Sequence, residues 1–545
     1  MSQTMRGADI VVRTLERAGC GNLFTLSGNH IMSIFDAALG SGVRLLHVRH
    51  EAAAVHMADA WGRLTGQCGV ALVSGGAGHA NALAALVTAK AACSPVVLLS
   101  GHAGRQEVGR GAFQELRQAE MAAPVSKAAW TAHSLETLGG DIARAISTAK
   151  SGRPGPVHLS LPFDLLDEAG AFGPERLPQL NDLAPRPQPL ATTAADAVLA
   201  LLAAATQPLI LGGPMLCHAE GLLKTLAAAT GVPSIGLESP RGLNDPALGL
   251  FAEVLGRADL IVLIGKAPDF TLRFADAPFV APSSRFVVID PEPQVVARLA
   301  QEKGDRVVLQ AIADPRTAAA ALIARCRAPV GASAWRRDVA TALAYRPSSW
   351  AQLQAPGASG RLHPIELCRA LVPHLDSDPK AVLVCDGGEI GQWPQAVLAP
   401  PRRLINGVAG AIGASIPFAL AARLAEPSAP VIAVLGDGSF GFHMAEFDTA
   451  VRTGLPFVAV LGNDATWNAE YQIQLRSWGR ARAHGCDLLP TRYDLVATAL
   501  GGHGEYVTAV EQLAPALARA LASGKPACVN VMIERVPAPV YKRER

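Results

Sequence analysis

Over its 545 residues the sequence lacks most of the marks of a specialised chain. Its nine cysteines (Cys20, Cys68, Cys93, Cys217, Cys326, Cys368, Cys385, Cys486 and Cys528) never form a CxxC pair. That argues against a zinc site or a disulfide framework, and a reducing cytoplasm is the expected compartment. No apolar run approaches the ~20 residues that span a bilayer. The opening "MSQTMRGADIVVRTLERAGC" reads as a helix with charges on one face and without a signal-peptide core. Charge of one sign is also missing: 48 basic and 46 acidic residues give +2, so no broad field points to nucleic acid or a membrane surface. The terminal "YKRER" reads as a solvated tail, contact with an anionic substrate being the alternative.

What remains, 50% hydrophobic residues and 52 glycines, is the composition of a compact enzyme. Short apolar runs such as "VALVSG" (70–75), "PVVLLSG" (95–101), "PLILGG" (208–213) and "LIVLIG" (260–265) alternate with helical stretches. Near-continuous apolar strands between helices imply parallel sheets covered on both faces, so the fold class is α/β. Two Pro-rich stretches, 172–190 and about 329–360, read as linkers. Three doubly wound parallel-sheet domains are expected, at 1–170, 190–330 and 360–545.

The most informative stretch is "VIAVLGDGSFGFHMAEFDTAVRTGLPFVAVLGNDATW" (431–467). It reads as a strand, a Gly turn, a helix with Phe442, Ala445, Phe447 and Val451 near helical spacing, and a second strand. A right-handed crossover would set Asp437 and Asp464 side by side at strand carboxyl ends, where open sheets bind ligands. Two carboxylates there repel unless a cation lies between them. Mg²⁺, held by one or two carboxylates plus phosphate oxygens, suits the pair. Gly436, Gly438 and Ser439 would let the chain approach a phosphate closely, and the following helix offers N–H groups to the same anion.

"GDGS" followed one crossover later by "GND" resembles the thiamine-diphosphate (ThDP) signature of the acetolactate synthase-like superfamily, which includes benzaldehyde lyase and 2-hydroxyacyl-CoA lyases. The resemblance implies pyrimidine, central and diphosphate domains in that order. It puts Asp437, Asp464 and the Thr466 carbonyl on the metal, with Asp464 standing where the family more often has Asn. "RHEAAA.HMA.AWGRLTG" resembles the segment whose Glu, here Glu51, hydrogen-bonds the aminopyrimidine and so helps to create the C2 ylide. Alone, Glu51 reads first as a first-turn helix residue, with Arg49 or His50 as a partner. In "INGVAGAIGASIP" (405–417) the resemblance gives Gly410 a carbonyl contact to the 4′-amino group and makes Ile412 the wedge that bends the cofactor. In "VLVCDGGEIGQW" (382–393) it puts Gly387, Gly388 and Glu389 near the diphosphate or the thiazolium.

On the substrate side "SGNHIMSIF" supplies Asn29 and His30, "SGGAGHAN" supplies His79 and Asn81, and "GAFQEL" supplies Phe113 and Gln114. "GNHI.SIF" resembles benzaldehyde lyase, which implies that His30 and Gln114 relay protons and orient a substrate oxygen. Trp467, Asn468 and Glu470 follow the metal loop, core packing being an equal reading for Trp467. The middle domain is expected to hold FAD, an ADP or CoA group, or nothing.

The resemblance implies a ThDP- and Mg²⁺-dependent lyase or carboligase that acts on 2-oxo acids or 2-hydroxy ketones through an enamine. The alternatives are a 2-hydroxyacyl-CoA lyase and a non-catalytic ThDP-binding protein. It also implies a homodimer or homotetramer with sites at subunit interfaces. A nicotinamide dehydrogenase is disfavoured, because no GxGxxG follows the first strand.

Overall fold

The computed structural model describes residues 3–543 except 174, 175, 220 and 355–360. Three parallel sheets follow one another along the chain. The first has six strands in the spatial order Arg44–His47, Asn22–Thr25, Gly69–Val73, Val96–His102, Val157–Pro162, Ala128–Thr131. The last has six in the order Arg402–Ile405, Val382–Cys385, Val431–Gly436, Val458–Asn463, Ala527–Met532, His503–Val507. Numbered along the chain within each domain, both read 2-1-3-4-6-5, so the two are wound alike. Five strands between Pro208 and Ile312 form the middle sheet. The expected α/β class with several parallel sheets is therefore present.

The apolar runs became strands because helices cover both of their faces. Val70, Ala71, Leu72 and Val73 are all fully buried, as are Val458 to Leu461 to within a few per cent. No helix among the described residues is long and apolar enough to cross a membrane. The stretch read as the second linker carries a helix, Ser333–Ala344, which buries Trp335, Val339 and Ala342 against the middle domain. Those three are its only strongly buried residues, a stripe too thin to stand out among Ala, Ser and Arg.

The outer domains meet through two small-residue helices, Glu51–Thr65 and Ser415–Ala425. Ala52, Ala53, Ala54, Ala58 and Ala60 on the first and Ala419, Ala421 and Ala422 on the second are buried in one shared core. A wholly buried ion pair within the first helix reaches across it: Arg63, bound to Asp59 at 2.6 Å, donates to the Ile405 carbonyl at 2.7 Å and lies 4.9 Å over the Phe418 ring. Removing one partner leaves an uncompensated buried charge, so Asp59→Asn is expected to cost about 3 to 5 kcal/mol. Urea unfolding checks this, and a loss under about 1 kcal/mol would show that Arg63 finds water or another acceptor.

Candidate active site

In each outer domain the site residues gather around the point where strand order reverses, at the carboxyl ends of the first four strands. In the C-terminal domain the first and third of those ends carry Asp386 and Asp437. Strand Val431–Gly436 runs straight into helix Asp437–His443, so Asp437 is both strand end and first helical residue, 2% exposed. Asp464, 5% exposed, follows the neighbouring strand Val458–Asn463. The loop between them is tight. Thr466 N donates to Asp437 Oδ2 at 3.2 Å, and Asn463 Oδ1 accepts from Ala465 N at 3.1 Å, with Ala465 held at φ +55°.

Burial pushes the Asp437 carboxyl up to about 6, and burial together with the Asp437 charge pushes Asp464 up to about 8. A hard cation between two such groups would restore both to their ionised form. No cluster of three His, Cys, Asp or Glu that could hold a metal exists among the described residues. An ion here would therefore take backbone and ligand oxygens beside the two carboxylates, which fits a diphosphate-bound Mg²⁺. The Trp467 ring lies against Gly438 and leaves no room there for a side chain, so the GDGS turn stays low under this ring.

The helix expected after that turn is broken in two, Asp437–His443 and Glu446–Thr453. Phe447 is buried as read, but Phe442 is 54% exposed and Val451 also faces outward; Phe440 and Ala450 take the core positions. The break at Met444 and Ala445 turns the second helix and changes the phase of the pattern.

Asp386 holds the opposite wall. Its carboxylate accepts from Gly387 N (2.7 Å), Gly413 N (3.0 Å) and Ser415 N (3.2 Å), and so fixes the turn that carries Gly410 and Ile412. Gly410 sits at φ +69°. Ile412 presses on Gly387, where an added Cβ would be 2.6 Å from its Cγ2. Gly387, Gly388, Gly410, Asp386 and Asn406 line one cavity of about 170 Å³. Glu389 turns away from it to accept from Ala538 N of the C-terminal segment.

In the N-terminal domain Glu51 opens helix Glu51–Thr65, with His50 as its cap accepting from Ala52 N. Neither Arg49 nor His50 pairs with Glu51; Asn81 Nδ2 does, at 3.1 Å from Oε2. The other oxygen, Oε1, lies 3.3 Å from where a Cβ on Gly78 would stand. His30 is 5% exposed, with Nδ1 on Ser74 Oγ (3.1 Å), Nε2 on the Phe113 carbonyl (3.3 Å) and the Phe113 ring stacked 5.9 Å away. Burial holds its pKa below the usual value, so the ring is neutral at pH 7. Asn29, His30, Phe113 and Phe163 line a cavity of about 650 Å³.

Two candidates stand elsewhere. Gln114 is exposed, with φ +55°, and contributes its backbone to the wall over Gly76. His79 is fully buried inside the domain, Nδ1 on Ser100 Oγ at 2.9 Å, its ring 4.5 Å from that of His158. Asp386, Asn463, Ser74 and Glu446, which shape the loops, were not singled out in the sequence. Asn463 stood in plain view in "GND". In the middle domain, Arg153 reaches in from the N-terminal domain to pair with Asp290, and Gly213 lies directly on the Gly265 carbonyl. The strand ends considered for FAD or ADP are thus crossed by protein groups.

Residues 5–121 match the family model described as thiamine pyrophosphate enzyme, N-terminal TPP binding domain, and residues 386–531 match the corresponding C-terminal TPP binding domain. A probable acetolactate synthase of Mycobacterium bovis is 33% identical over 99% of this chain and 98% of its own length. The chain belongs to the thiamine-diphosphate enzymes of the acetolactate synthase-like superfamily. The 2-hydroxyacyl-CoA lyase 2 of Bos taurus is 30% identical, covering 98% of this chain and 91% of its own, and a catabolic acetolactate synthase of Raoultella terrigena is 29% identical, covering 98% and 96%. Glu51 falls within the first matched segment, and Asp437 and Asp464 within the second.

Burial lowers the His79 pKa to about 4, so the folded chain holds this ring neutral while an unfolded one protonates near 6.5. Its stabilising effect is complete above pH 6.5 and lost as pH falls towards 4. Between pH 7 and pH 5 that is roughly 2 kcal/mol. His79→Gln is expected to flatten the pH dependence of urea unfolding by that amount; an unchanged slope would contradict a neutral buried ring.

Proposed function

We propose that this enzyme breaks or forms the carbon–carbon bond beside a carbonyl in 2-oxo acids or 2-hydroxy ketones, using ThDP and Mg²⁺. The reading rests on Glu51. Where the buried carboxylates of Asp386 and Glu446 each accept several N–H or O–H donors, Glu51 makes a single hydrogen bond among the described residues, from Asn81. Its second oxygen is left to exchange a proton with a ring nitrogen. Bound ThDP would supply a carbon nucleophile and then an electron sink. Asp437, Asp464 and the Thr466 carbonyl would hold Mg²⁺, with the Gly436 to Ser439 turn beneath the phosphates. Ile412, propped by Gly387, would wedge the cofactor, and neutral His30 would move a proton at the substrate oxygen.

Glu51 and Asp437 belong to different domains of one chain, and the proposal includes a homodimer or homotetramer in which each completes a partner's site. Phe113 and Phe442, each more than half exposed beside these half-sites, are the apolar surface such a contact would cover. With a near-balanced charge and no apolar spanning helix among the described residues, the partners proposed are carbonyl substrates in the cytoplasm rather than nucleic acid or membrane.

A second reading, a 2-hydroxyacyl-CoA lyase, draws on a cavity of about 620 Å³ between the middle and C-terminal domains. Arg241, Arg273 and Arg476 line it, and the segment Pro537 to Tyr541 closes one side. Three guanidinium groups suit a substrate with an anionic tail.

With Mg²⁺ present, the protein is expected to accelerate C2 proton–deuterium exchange of ThDP, and Glu51→Gln to slow it at least about 100-fold. Tight cofactor binding without acceleration would leave a non-catalytic ThDP-binding protein. Asp437→Asn is expected to weaken Mg²⁺-dependent ThDP binding by on the order of 100-fold, and Asp464→Asn, which keeps an oxygen ligand, by less than about 10-fold. Equal losses in calorimetric titrations would remove the distinction. Saturable binding of CoA would move the substrate assignment to the second reading.

A further inference from the structure

Gln118 lies outside every motif that marks the site, yet it is 1% exposed and its amide is fully engaged. Oε1 accepts from Gly76 N at 2.9 Å. Nε2 donates to the Gly101 carbonyl at 3.0 Å and to Ser160 Oγ at 3.1 Å. These partners belong to three neighbouring strands or the loops that leave them: Gly69–Val73, Val96–His102 and Val157–Pro162. Ser160 Oγ is held in turn by His158 Nε2 at 2.8 Å.

The loop tied down in this way, Ser74 to Gly78, is packed on both sides. A Cβ on Gly75 would lie 2.9 Å from the Gly101 carbonyl, and one on Gly76, at φ +57°, 2.7 Å from Gln114 Cβ. At one end of the loop Ser74 Oγ meets His30 Nδ1. At the other, Gly78 packs on Glu51 Oε1, and Asn81 bonds the same carboxylate one helical turn later. One buried amide therefore sets the separation of the two groups to which the proposed reaction assigns proton transfer.

We propose that Gln118 is a positioning residue, which acts through Gly76 to hold Ser74 against His30 and Gly78 against Glu51. The proposal rests on the ThDP reading above. Replacing Gln118 by methionine keeps its length but leaves Gly76 N, the Gly101 carbonyl and Ser160 Oγ buried without it. The loop then shifts to pair them again, and a displacement of about 1 Å at reacting groups costs on the order of 100-fold in rate.

The test compares Gln118→Met, Gln118→Glu, Ser74→Ala and the Gln118→Met/Ser74→Ala pair as full-length enzymes. Gln118→Met is expected to lower kcat by roughly 30- to 100-fold with KM changed less than about 3-fold, and the pair to be no slower than the slower single variant. Gln118→Glu, whose protonated carboxyl still accepts from Gly76 and donates one bond, is expected to recover part of kcat. Hydrogen–deuterium exchange of residues 74–82 reads the loop independently of any cofactor: faster in Gln118→Met, restored in Gln118→Glu, with residues 404–415 unchanged. Normal kcat in a folded Gln118→Met, multiplicative losses in the pair, or unchanged exchange at 74–82 would each overturn the proposal. A wild type that fails to activate ThDP while the loop responds as expected would instead overturn the functional reading and leave the loop anchor standing.

Discussion

The helix Glu51–Thr65 must satisfy two neighbours at once, the sheet of its own domain and the helix Ser415–Ala425 of the other. Only small side chains let two helices and a sheet share one layer, which is why both helices are rich in alanine. Their closeness has a consequence at each end. Arg63 near the C-terminus takes the Ile405 carbonyl, just ahead of the loop that carries Gly410 and Ile412. At the N-terminus, Arg49 N binds the Glu446 carboxylate and the His50 ring stands 5.8 Å from that of His443, whose Nδ1 meets the Gly413 carbonyl. The loops that bear the candidate groups of both domains are thus set by one interface.

Against that rigid frame, carboxylates of the same chemistry take different roles according to how many donors face them. Asp386, supplied with N–H groups from Gly387, Gly413 and Ser415, is a strut. Glu446, met by Arg49 N and Thr449 Oγ1, joins two domains; burial still raises its pKa to about 7, so its ionised form stays costly there. Asp437 and Asp464 face each other, and although Thr466 N donates to Asp437, burial still pushes both carboxyls up and the Asp437 charge pushes Asp464 further, which is the condition a cation relieves. Glu51, with Asn81 on one oxygen, keeps the other in reserve. Where burial makes such a group expensive, the count of donors decides whether the expense is structural or is left for a ligand to cancel.

The parallel sheets were legible because strands buried on both faces are written as unbroken apolar runs, and "VIAVLG" and "FVAVLG" fall within a residue of strands Val431–Gly436 and Val458–Asn463. Asp437 and Asp464 were legible because a crossover turns sequence spacing into adjacency. Strand order was not, since pairing of Val382–Cys385 with both Arg402–Ile405 and Val431–Gly436 is settled by tertiary contacts. The break after His443 was invisible because Met and Ala suit a helix, and only packing turns the chain there. Gln118 was invisible for a related reason: a glutamine beside Arg117 and Glu120 reads as surface, and its burial follows from strand ends that lie 17 and 42 residues away in sequence.

The same contrast explains why cofactor class is better determined than substrate. Most groups assigned to the cofactor stand at strand ends or on loops pinned by buried hydrogen bonds, so their positions follow from the sheets. Of the groups assigned to the substrate side, His30 and His79 are fixed, but the others are not: Phe113 is 67% exposed, Gln114 turns outward, and Arg241, Arg273 and Arg476 are all exposed around their cavity. Such side chains take their final places against a ligand or a partner subunit, and at about 30% identity acetolactate synthases and 2-hydroxyacyl-CoA lyases are equally compatible with the frame. Selection between them has to come from the loops, because the sheets hold the groups proposed for proton transfer in the same places for either kind of carbonyl.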